Sequence, residues 1–447
     1  MTERENVEKR LENMKKFYLR INELIDQIPE LIPSQVRDMI RDSILGDKDL
    51  KELMDGIDRH RPPRFLLVGR TGVGKSSLIN ALVGSYLAQV SDTESCTPGI
   101  ELHKYQDQGQ TLMEILDTRG IAESERLKEE VSAEKHLLDH VNEFSPDAAI
   151  FLLSCSHRDS VGEDAEYFRE LIKRYEELNQ VHLPVVLVVS RADEVAPGRI
   201  KIPKEYPERK IDAIETILRN YKSVLTNHGL KVDHAIAVSS CIDWMDENDE
   251  EVSVESINDM TPEEKAKLRI AFDGRYQIEE LRDMLEDVIE DFQAKMGLRM
   301  ALRLGELVRR IAKRLTHIFA GISSTVALSP IPISDIYILL IIQAVLVALI
   351  ATLSGREMNL DTAKEFIFSL VGVGGLGWLL RIAAQQLSKF ANLLFPGSGS
   401  VISSGIAFTG TETMGHCATA YYIDNKPIEE VMKIKKQADK ENKEKEN

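Results

Sequence analysis

The sequence has few cysteines and no excess of positive charge. Its four cysteines, at positions 96, 155, 241 and 417, lie far apart and form no Cys-x-x-Cys pair, so neither a disulfide framework nor a structural zinc site is expected. Lys and Arg number 56 against 73 Asp and Glu, which gives a formal net charge of −17. A field of that sign repels nucleic acids, and we expect no nucleic-acid partner.

The pattern of cysteines predicts a reducing, cytosolic location for the bulk of the chain, and because the first ten residues lack the apolar core of a secretory signal, we expect no export signal. The 447 residues exceed what one core usually holds, at about 100–200 residues per domain. We predict N-terminal amphipathic helices over 1–61, an α/β domain over 62–296, an apolar helical domain over 297–430 and a charged tail over 431–447. The tail is expected to be frayed or disordered.

Apolar residues between positions 7 and 28 alternate spacings of four and three, which predicts an amphipathic helix that Pro29 ends. Two roles fit this seam. It packs against later helices of the same chain, or it self-associates and makes a homodimer. A second helical pattern runs over 35–45 and is closed by Gly46.

Short apolar runs alternate with helical patterns between residues 64 and 292, which predicts an α/β fold with a mostly parallel sheet and helices on both faces. An acidic stretch over 243–264 interrupts this alternation and is interpreted as a solvated loop. The predicted strands cover 65–68, 112–116, 148–153, 185–189 and 235–238.

Residues 69–76 read GRTGVGKS, a full match to the phosphate-binding pattern G-x-x-x-x-G-K-[ST], directly after a predicted strand and before a predicted helix. Glycines let backbone N–H groups surround a phosphate, Lys75 can neutralise β- and γ-phosphate oxygens, and Ser76 can bind Mg²⁺. The predicted nucleotide contacts here are Gly69, Arg70, Thr71, Gly72, Val73, Gly74, Lys75, Ser76 and Ser77.

Two further elements are expected near the γ-phosphate. Asp117 ends a predicted strand, where a carboxylate can hold the magnesium shell, and the N–H of Gly120 can face the γ-phosphate. Thr97 can add its hydroxyl to Mg²⁺ when a triphosphate is bound, with Thr93 as the rival. The predicted catalytic residues are Lys75, Thr97 and Gly120, and the predicted metal ligands are Ser76, Thr97 and Asp117.

A fourth element indicates the base. The carboxylate of Asp193 can accept from both the ring N–H and the exocyclic amine of guanine, a pair that adenine does not offer. The stem of Arg191 can stack on the base, and Ser239 and Ser240 follow the next strand, where backbone N–H groups can meet the guanine carbonyl. The predicted ligands are GTP and GDP, with ATP as the alternative.

The order of these motifs resembles the Era-like GTPases of the translation-factor-related class and, more distantly, the septins and immunity-related GTPases. The resemblance implies a Ras-like P-loop GTPase domain that hydrolyses GTP to GDP and phosphate with Mg²⁺. Two departures stand out: Ser190 and Arg191 replace the usual Asn/Thr-Lys pair, and Ile121 stands where Ras has its glutamine. We expect a switch whose hydrolysis is slow without self-association or a partner. The alternatives are a nucleotide-gated scaffold with negligible catalysis and a soluble Era-like assembly factor.

The C-terminal third contains a long apolar run. Residues 336–353 carry no charge, and a helix of that length rises about 27 Å, enough to cross the hydrocarbon core of a bilayer. A glycine-rich apolar run over 366–380 and a basic helical pattern over 299–319 add to this signal. We expect a transmembrane helix and contact with a lipid bilayer through 299–422, with the GTPase domain in the cytoplasm. A soluble helical core is the alternative. Residues 339–422 also resemble the uncharacterised hydrophobic domain fused behind bacterial Era-like GTPases.

Overall fold

The computed structural model divides the chain into two units. The α/β unit is Arg59–Arg303, and the helical unit combines Met1–Asp58 with Leu304–Asn447. The domain boundaries expected from the sequence stay a prediction. The structure describes residues 21, 34–70, 72–84, 86, 94–97, 100–107, 110–118, 130–156, 161–265, 267–328, 335–355, 363, 366, 367, 370 and 404–446.

Among the described residues, seven strands form one sheet in the order β2-β3-β4-β1-β5-β6-β7. The pairs β1–β4, β1–β5, β5–β6 and β6–β7 are parallel, whereas β2–β3 and β3–β4 are antiparallel. All five strands predicted from apolar runs are present in the parallel part, which confirms the mostly parallel α/β fold. The strands are β1 (Arg64–Val68), β2 (Glu94–Thr97), β3 (Ile100–Asp107), β4 (Gln110–Asp117), β5 (Ala148–Ser154), β6 (Val185–Ser190) and β7 (His234–Ala237).

Helices cover both faces of this sheet. The helices of the α/β unit are α3 (Lys75–Val83), α4 (Glu130–Phe144), α5 (Val161–Asn179), α6 (Glu208–Asn227), α7 (Val254–Asp259), α8 (Pro262–Lys265) and α9 (Ile278–Val288), together with the first part of α10 (Phe292–Leu328). The helical unit contains α1 (Ser34–Leu45), α2 (Lys48–Arg59), the rest of α10, α11 (Asp335–Leu353), α12 (Ser404–Ala418) and α13 (Ile428–Glu446). The last residue of α2, Arg59, already belongs to the α/β unit.

Two apolar cores enclose the sheet because successive strand residues point to opposite faces. Leu66 packs in the core that α4, α5 and α6 cover, whereas its neighbours Phe65 and Leu67 pack in the core that α3 and α9 cover. Every residue of β5 and β6 is buried, as expected for central parallel strands. The sheet is therefore a rigid support whose carboxyl edge carries the loops of interest.

The acidic stretch over 243–264 is not a solvated loop, and that prediction is wrong. Strands β8 (Ser239–Met245), β9 (Glu251–Val252) and β10 (Arg269–Tyr276) form a second sheet in the order β10-β8-β9. Trp244 packs edge-on against Tyr86 at 5.5 Å and, with other apolar side chains, buries a small separate core. Apolar residues between the carboxylates therefore give this segment a structure of its own.

The helical unit confirms the helix predicted over 35–45, which spans Ser34–Leu45. The charged tail, expected to be frayed or disordered, instead belongs to α13, so that expectation is wrong. The predicted seam over 7–28 lies outside the described residues except for Ile21, which is helical and buried. The homodimer that this seam could form stays a prediction.

The basic pattern over 299–319 lies on α10, whose backbone is kinked at Arg303, and much of its charge is already paired. Within the α/β unit Arg299 bonds Glu286 at 2.7 Å. Within the helical unit Arg309 bonds Asp424 at 2.7 Å. Arg314 also pairs with Asp47 at 2.7 Å, whereas nearby Arg310 and Lys313 are exposed. Several of the basic side chains of α10 are therefore paired with carboxylates, and part of the basic face remains exposed.

The apolar run over 336–353 forms α11, whose described side chains are almost all buried. Within the described part of the chain, no helix combines the length and the apolar character needed to cross a membrane. The expected transmembrane helix is therefore not supported. Of the second run over 366–380, positions 366, 367 and 370 are described, and they are helical.

Candidate nucleotide-binding site

The phosphate-binding loop joins the end of β1 to the start of α3 and has the backbone that its glycines predict. Gly72 and Gly74 have φ angles of 80° and 95°, a region that favours glycine. A Cβ placed on either residue would meet no described atom within 4 Å, so both face open space. The first N–H groups of α3 start directly after Gly74, which gives the loop the electropositive character that suits a phosphate.

Gly69 is required for a different reason. A Cβ there would lie 2.9 Å from the backbone oxygen of Leu152 and 3.2 Å from its Cβ, so the loop passes directly against β5. Any side chain at this position would push the loop off the sheet.

Lys75 lies between the phosphate loop and the end of β4. Its ammonium donates to the carbonyl of Gly69 at 2.8 Å and lies 3.2 Å from Oδ2 of Asp117. Only 9% of the Lys75 side chain and 2% of the Asp117 side chain are exposed. Parallel pairing of β1 with β4 sets Leu67 opposite Asp117 and so brings these two motifs together. The sequence motifs thus meet at one edge of the sheet, as expected.

Ser76 and Asp117 fit the chemistry of a magnesium site, because Mg²⁺ takes oxygen ligands and accepts one or two carboxylates. No cluster of three or more His, Cys, Asp or Glu side chains that could hold a metal occurs among the described residues. Phosphate oxygens and water would therefore have to complete the shell, as is usual for Mg²⁺ bound with a nucleotide.

His103 is a neighbour of this site that the sequence reasoning missed. It lies on β3 and is buried, with Nε2 3.2 Å from Glu101 and 3.9 Å from Oδ2 of Asp117. Its place follows from the antiparallel pairing that sets Glu101 opposite Asp117.

Ser190 ties the segment over 190–193, which the sequence predicts to read the base, to the phosphate loop. Its hydroxyl lies 2.6 Å from the carbonyl of Val73 and 3.1 Å from the carbonyl of Leu153, and the side chain is buried. Arg191, which has a left-handed backbone, bonds the carbonyl of Gly72 through its guanidinium and Glu194 at 3.2 Å. The departure from the usual Asn-Lys pair therefore keeps a direct link between the two loops.

Asp193 is held at the start of the next loop, on a short 3₁₀ turn over Ala192–Glu194. Its Oδ1 accepts from the hydroxyl of Ser239 at 2.9 Å, and both residues are buried. A carboxylate oxygen can accept a second hydrogen bond, so this contact leaves acceptor capacity for a base. Ser240 lies next along β8 with a buried Oγ that bonds no described residue.

Lys210 is the second residue that the sequence reasoning missed. It is fully buried on α6, and its ammonium donates to the carbonyl of Asp193 at 2.7 Å. Burial lowers the pKa of Lys210. The sequence did contain a signal, because Lys210 shares the buried face of α6 with Ile214, Tyr221 and Leu225.

The remaining predicted residues are placed as follows. Arg70 bonds both oxygens of Asp164 on α5, at 3.0 and 3.2 Å, and Ser77 is exposed on α3. Thr97 ends the edge strand β2, opposite Ile100. Thr71, Gly120 and the rival Thr93 lie outside the described residues.

The cysteine near this site is not a reactive thiol. Cys155 donates its backbone N–H to the carbonyl of Ser190 at 3.0 Å, and burial raises the pKa of its thiol to about 12. A thiol with such a pKa stays protonated at neutral pH.

Residues 64–192 match the family model described as 50S ribosome-binding GTPase. The tRNA modification GTPase MnmE of Bacillus cereus (strain ATCC 10987 / NRS 248) is 29% identical over 156 residues, which are 34% of this chain and 33% of that protein. GTPase Der of Nautilia profundicola is 27% identical over 192 residues, 41% of this chain and 39% of that protein. The chain spans 33% of the first of these relatives, about a third. A crystal structure of Era in complex with MgGDPNP and 16S ribosomal RNA aligns with a TM-score of 0.27 at 15% identity, covering 59% of this chain and 68% of that chain.

Proposed function

We propose that this chain, in which residues 64–192 form a P-loop GTPase domain related to the Era-like class, binds GTP with Mg²⁺ and hydrolyses it to GDP and phosphate as a molecular switch. One observation carries the proposal. The Ser190 hydroxyl joins the base-reading segment to the carbonyl of Val73, so the phosphate loop and Asp193 belong to one connected site.

The residues divide the work by position. The backbone of the phosphate loop and Lys75 bind the β- and γ-phosphates, and Asp193 reads the edge of the guanine ring. Ser76 and Asp117 would hold Mg²⁺, which when bound neutralises charge on the phosphates. Thr97 and the N–H of Gly120 are the proposed contacts around the γ-phosphate. Asp117 already lies 3.2 Å from Lys75, so the cationic and metal-binding sides of the site are adjacent.

Hydrolysis is proposed to be slow in the isolated chain because Ile121 stands where Ras uses a glutamine to orient water. Phosphate release from GTP, followed at increasing protein concentrations, tests this. We expect a low rate per molecule that rises with concentration if self-association completes the site. A fast rate that does not depend on concentration would contradict the proposal.

A nucleotide-gated scaffold is the second candidate function, and the same Ile121 favours it. The two readings differ in single-turnover behaviour with saturating protein. A switch converts bound GTP to GDP within minutes to hours, whereas a scaffold keeps GTP intact over the same time and releases it unchanged.

Membrane association is proposed for the helical unit in a weaker form than a spanning helix. The exposed Arg310 and Lys313 on α10 support contact with an anionic lipid surface. Flotation of the full chain with anionic and with neutral vesicles tests this. Binding to anionic vesicles that salt removes would support a surface role. No flotation with either vesicle would favour the soluble assembly factor.

A further inference from the structure

Lys210 lies in the first turn of α6 and is buried completely. Its ammonium lies 2.7 Å from the carbonyl of Asp193, 2.8 Å from that of Ile200 and 3.3 Å from that of Pro197. These three carbonyls belong to one loop, which runs from the end of β6 to the start of α6. The three donors of an ammonium match three carbonyl acceptors.

A buried ammonium at this place is unfavourable without a compensating role. Removing the charge from water is costly, and the first turn of a helix carries the positive end of the helix dipole. Among the described residues, the oxygen atoms that accept hydrogen bonds from Lys210 are all backbone carbonyls. The ring of Tyr206, 4.3 Å away, adds a cation–π contact. The charge of Lys210 therefore holds the loop between β6 and α6 in one conformation.

The loop held in this way fixes Asp193 from two sides. Lys210 bonds the backbone carbonyl of Asp193, and Ser239 bonds its carboxylate. The N–H of Ala192 also donates to the carbonyl of Val238 at 3.0 Å, which anchors the start of the loop on the strand side. Without the ammonium, the carbonyls of Asp193 and Ile200 would lose the donor described for them, and the carbonyl of Pro197 would keep only the N–H of Ile200.

We propose that Lys210 is a positioning residue for guanine specificity: by gathering the carbonyls of Asp193, Pro197 and Ile200, it holds the Asp193 carboxylate where it can bind the exocyclic amine of the base. This inference rests on the proposed GTP-binding function. It assigns Lys210 no contact with the nucleotide and no part in phosphate chemistry.

The test compares affinities for GDP, inosine diphosphate and ADP. Inosine diphosphate lacks only the exocyclic amine, so the ratio of GDP to inosine diphosphate affinity measures the bond to Asp193. The variants are Lys210→Met, which keeps the aliphatic stem without donors, and Lys210→Gln, which keeps two N–H donors. Lys222→Met is the matched control, because Lys222 is exposed on the same helix.

We expect Lys210→Met to lower the ratio by about tenfold or more, since a hydrogen bond to a charged group of about 1.5–3 kcal/mol corresponds to at least that factor. The ratio for Lys210→Gln should lie between those of Lys210→Met and the wild type, and Lys222→Met should keep the wild-type ratio. Circular dichroism and thermal melting verify that each variant folds. If Lys210→Met does not fold, the affinity ratio of Lys210→Gln decides the question.

Two results would overturn the proposal. Folded variants that keep the wild-type ratio would show that Lys210 does not place Asp193. An equal loss of affinity for GDP and inosine diphosphate would show a purely structural role. Failure of the proposed function is distinct: wild-type protein would then bind GDP no better than inosine diphosphate or ADP, or would bind none of them.

Discussion

Both units bury polar side chains, but they use them differently. In the α/β unit, the buried polar residues of the site converge on the carboxyl edge of the sheet. In the helical unit, Gln343, Thr411 and Ser323 are fully buried and bond one another across α10, α11 and α12, with Ser323 2.8 Å from Thr411. The convergent set comprises Asp117, Ser190, Asp193, Lys210 and Ser239.

The contrast indicates different roles for the buried polar residues of the two units. Burying a polar group costs free energy. At the carboxyl edge of the sheet, where open α/β sheets bind ligands, such groups can either bind a ligand or hold in place the groups that would bind it. A polar layer inside a helical bundle instead specifies which helices pack together and in what register, and it can often be replaced by apolar residues. Substitutions in the two units should therefore have different consequences.

The largest effect is expected for Lys75→Ala. Loss of the ammonium removes the charge that meets the β- and γ-phosphates and leaves the Asp117 carboxylate buried without its Lys75 partner. We expect nucleotide affinity to fall by about 100-fold or more, which is about 2.7 kcal/mol. Titration with a fluorescent GDP analogue measures it.

Lys173→Ala is the control, because Lys173 is exposed on α5 and pairs only loosely with Glu177 at 3.8 Å. It should bind as wild type does. Retention of wild-type affinity by Lys75→Ala would mean that the loop does not bind phosphate. The buried polar residues of the α/β unit would then have no ligand-binding role to set them apart from those of the helical unit.

A smaller effect is expected for Ser190→Ala. The substitution removes the single O–H donor that the carbonyls of Val73 and Leu153 share. Loss of a buried hydrogen bond costs about 1–2 kcal/mol, so affinity for GDP and inosine diphosphate should fall together by about tenfold. Isothermal titration at 25 °C measures both.

Ser156→Ala serves as the control, since Ser156 follows the neighbouring strand β5 and is exposed, and the substitution removes a hydroxyl that bonds Ser154 at 2.8 Å on that same strand. Its affinity should not change. A Ser190→Ala variant with a changed ratio between the two nucleotides would place Ser190 in base reading, a role that its contacts with the phosphate loop do not predict.

The phosphate side of the site was predictable because its signals are local. The residue pattern over 69–76 sets the loop, and an apolar run ending at Asp117 sets the neighbouring strand. The similarity to Era-like GTPases expected from the motif order is confirmed by the family match over 64–192. Lys210 was not predicted, because its contacts depend on the path of a loop whose course no motif specifies.

The fold shows the same limit. The parallel strands were predicted because each is a continuous apolar run. The second sheet was not, because β9 has two residues and the carboxylates around it resemble a solvated loop. The transmembrane helix expected from the composition of α11 lacks support, since an apolar segment can equally be the centre of a helical unit.

Gln343→Leu tests whether the buried polar layer of the helical unit can be replaced by apolar residues. Gln343 bonds Thr411 weakly at 3.4 Å, and its buried Oε1 bonds no described residue. Because leucine relieves this unsatisfied group, we expect the free energy of unfolding to stay equal or to rise by up to about 1 kcal/mol. Chemical denaturation measures it, with nucleotide affinity as an independent readout that should not change.

Thr411→Val is the matched variant. It removes the hydroxyl that bonds Ser323 and Gln343, so it should destabilise by about 1 kcal/mol. Destabilisation by Gln343→Leu as large as that of Thr411→Val would show that this polar layer is as indispensable as the groups at the sheet edge.

The smallest effect is expected at Asp47, which caps α2 through the N–H of Leu50 at 2.9 Å and pairs with Arg314 at 2.7 Å. Burial alone would raise the pKa of Asp47, but Arg314 and the Leu50 N–H outweigh it and hold the pKa below its usual value. The stabilisation is therefore present above about pH 4 and is lost as pH falls through the lowered pKa.

Asp47→Asn isolates this charge, because asparagine is also a good helix cap. The 36% exposure of Arg314 screens the pair, so the expected loss at pH 7 is below about 1 kcal/mol. Urea unfolding at pH 7 and pH 3 should show the gap between wild type and variant closing at the lower pH. A gap of equal size at both values would assign the effect to the cap and not to the charge. The contribution of Asp47 to the stability of the helical unit would then come from its hydrogen bond at the start of α2.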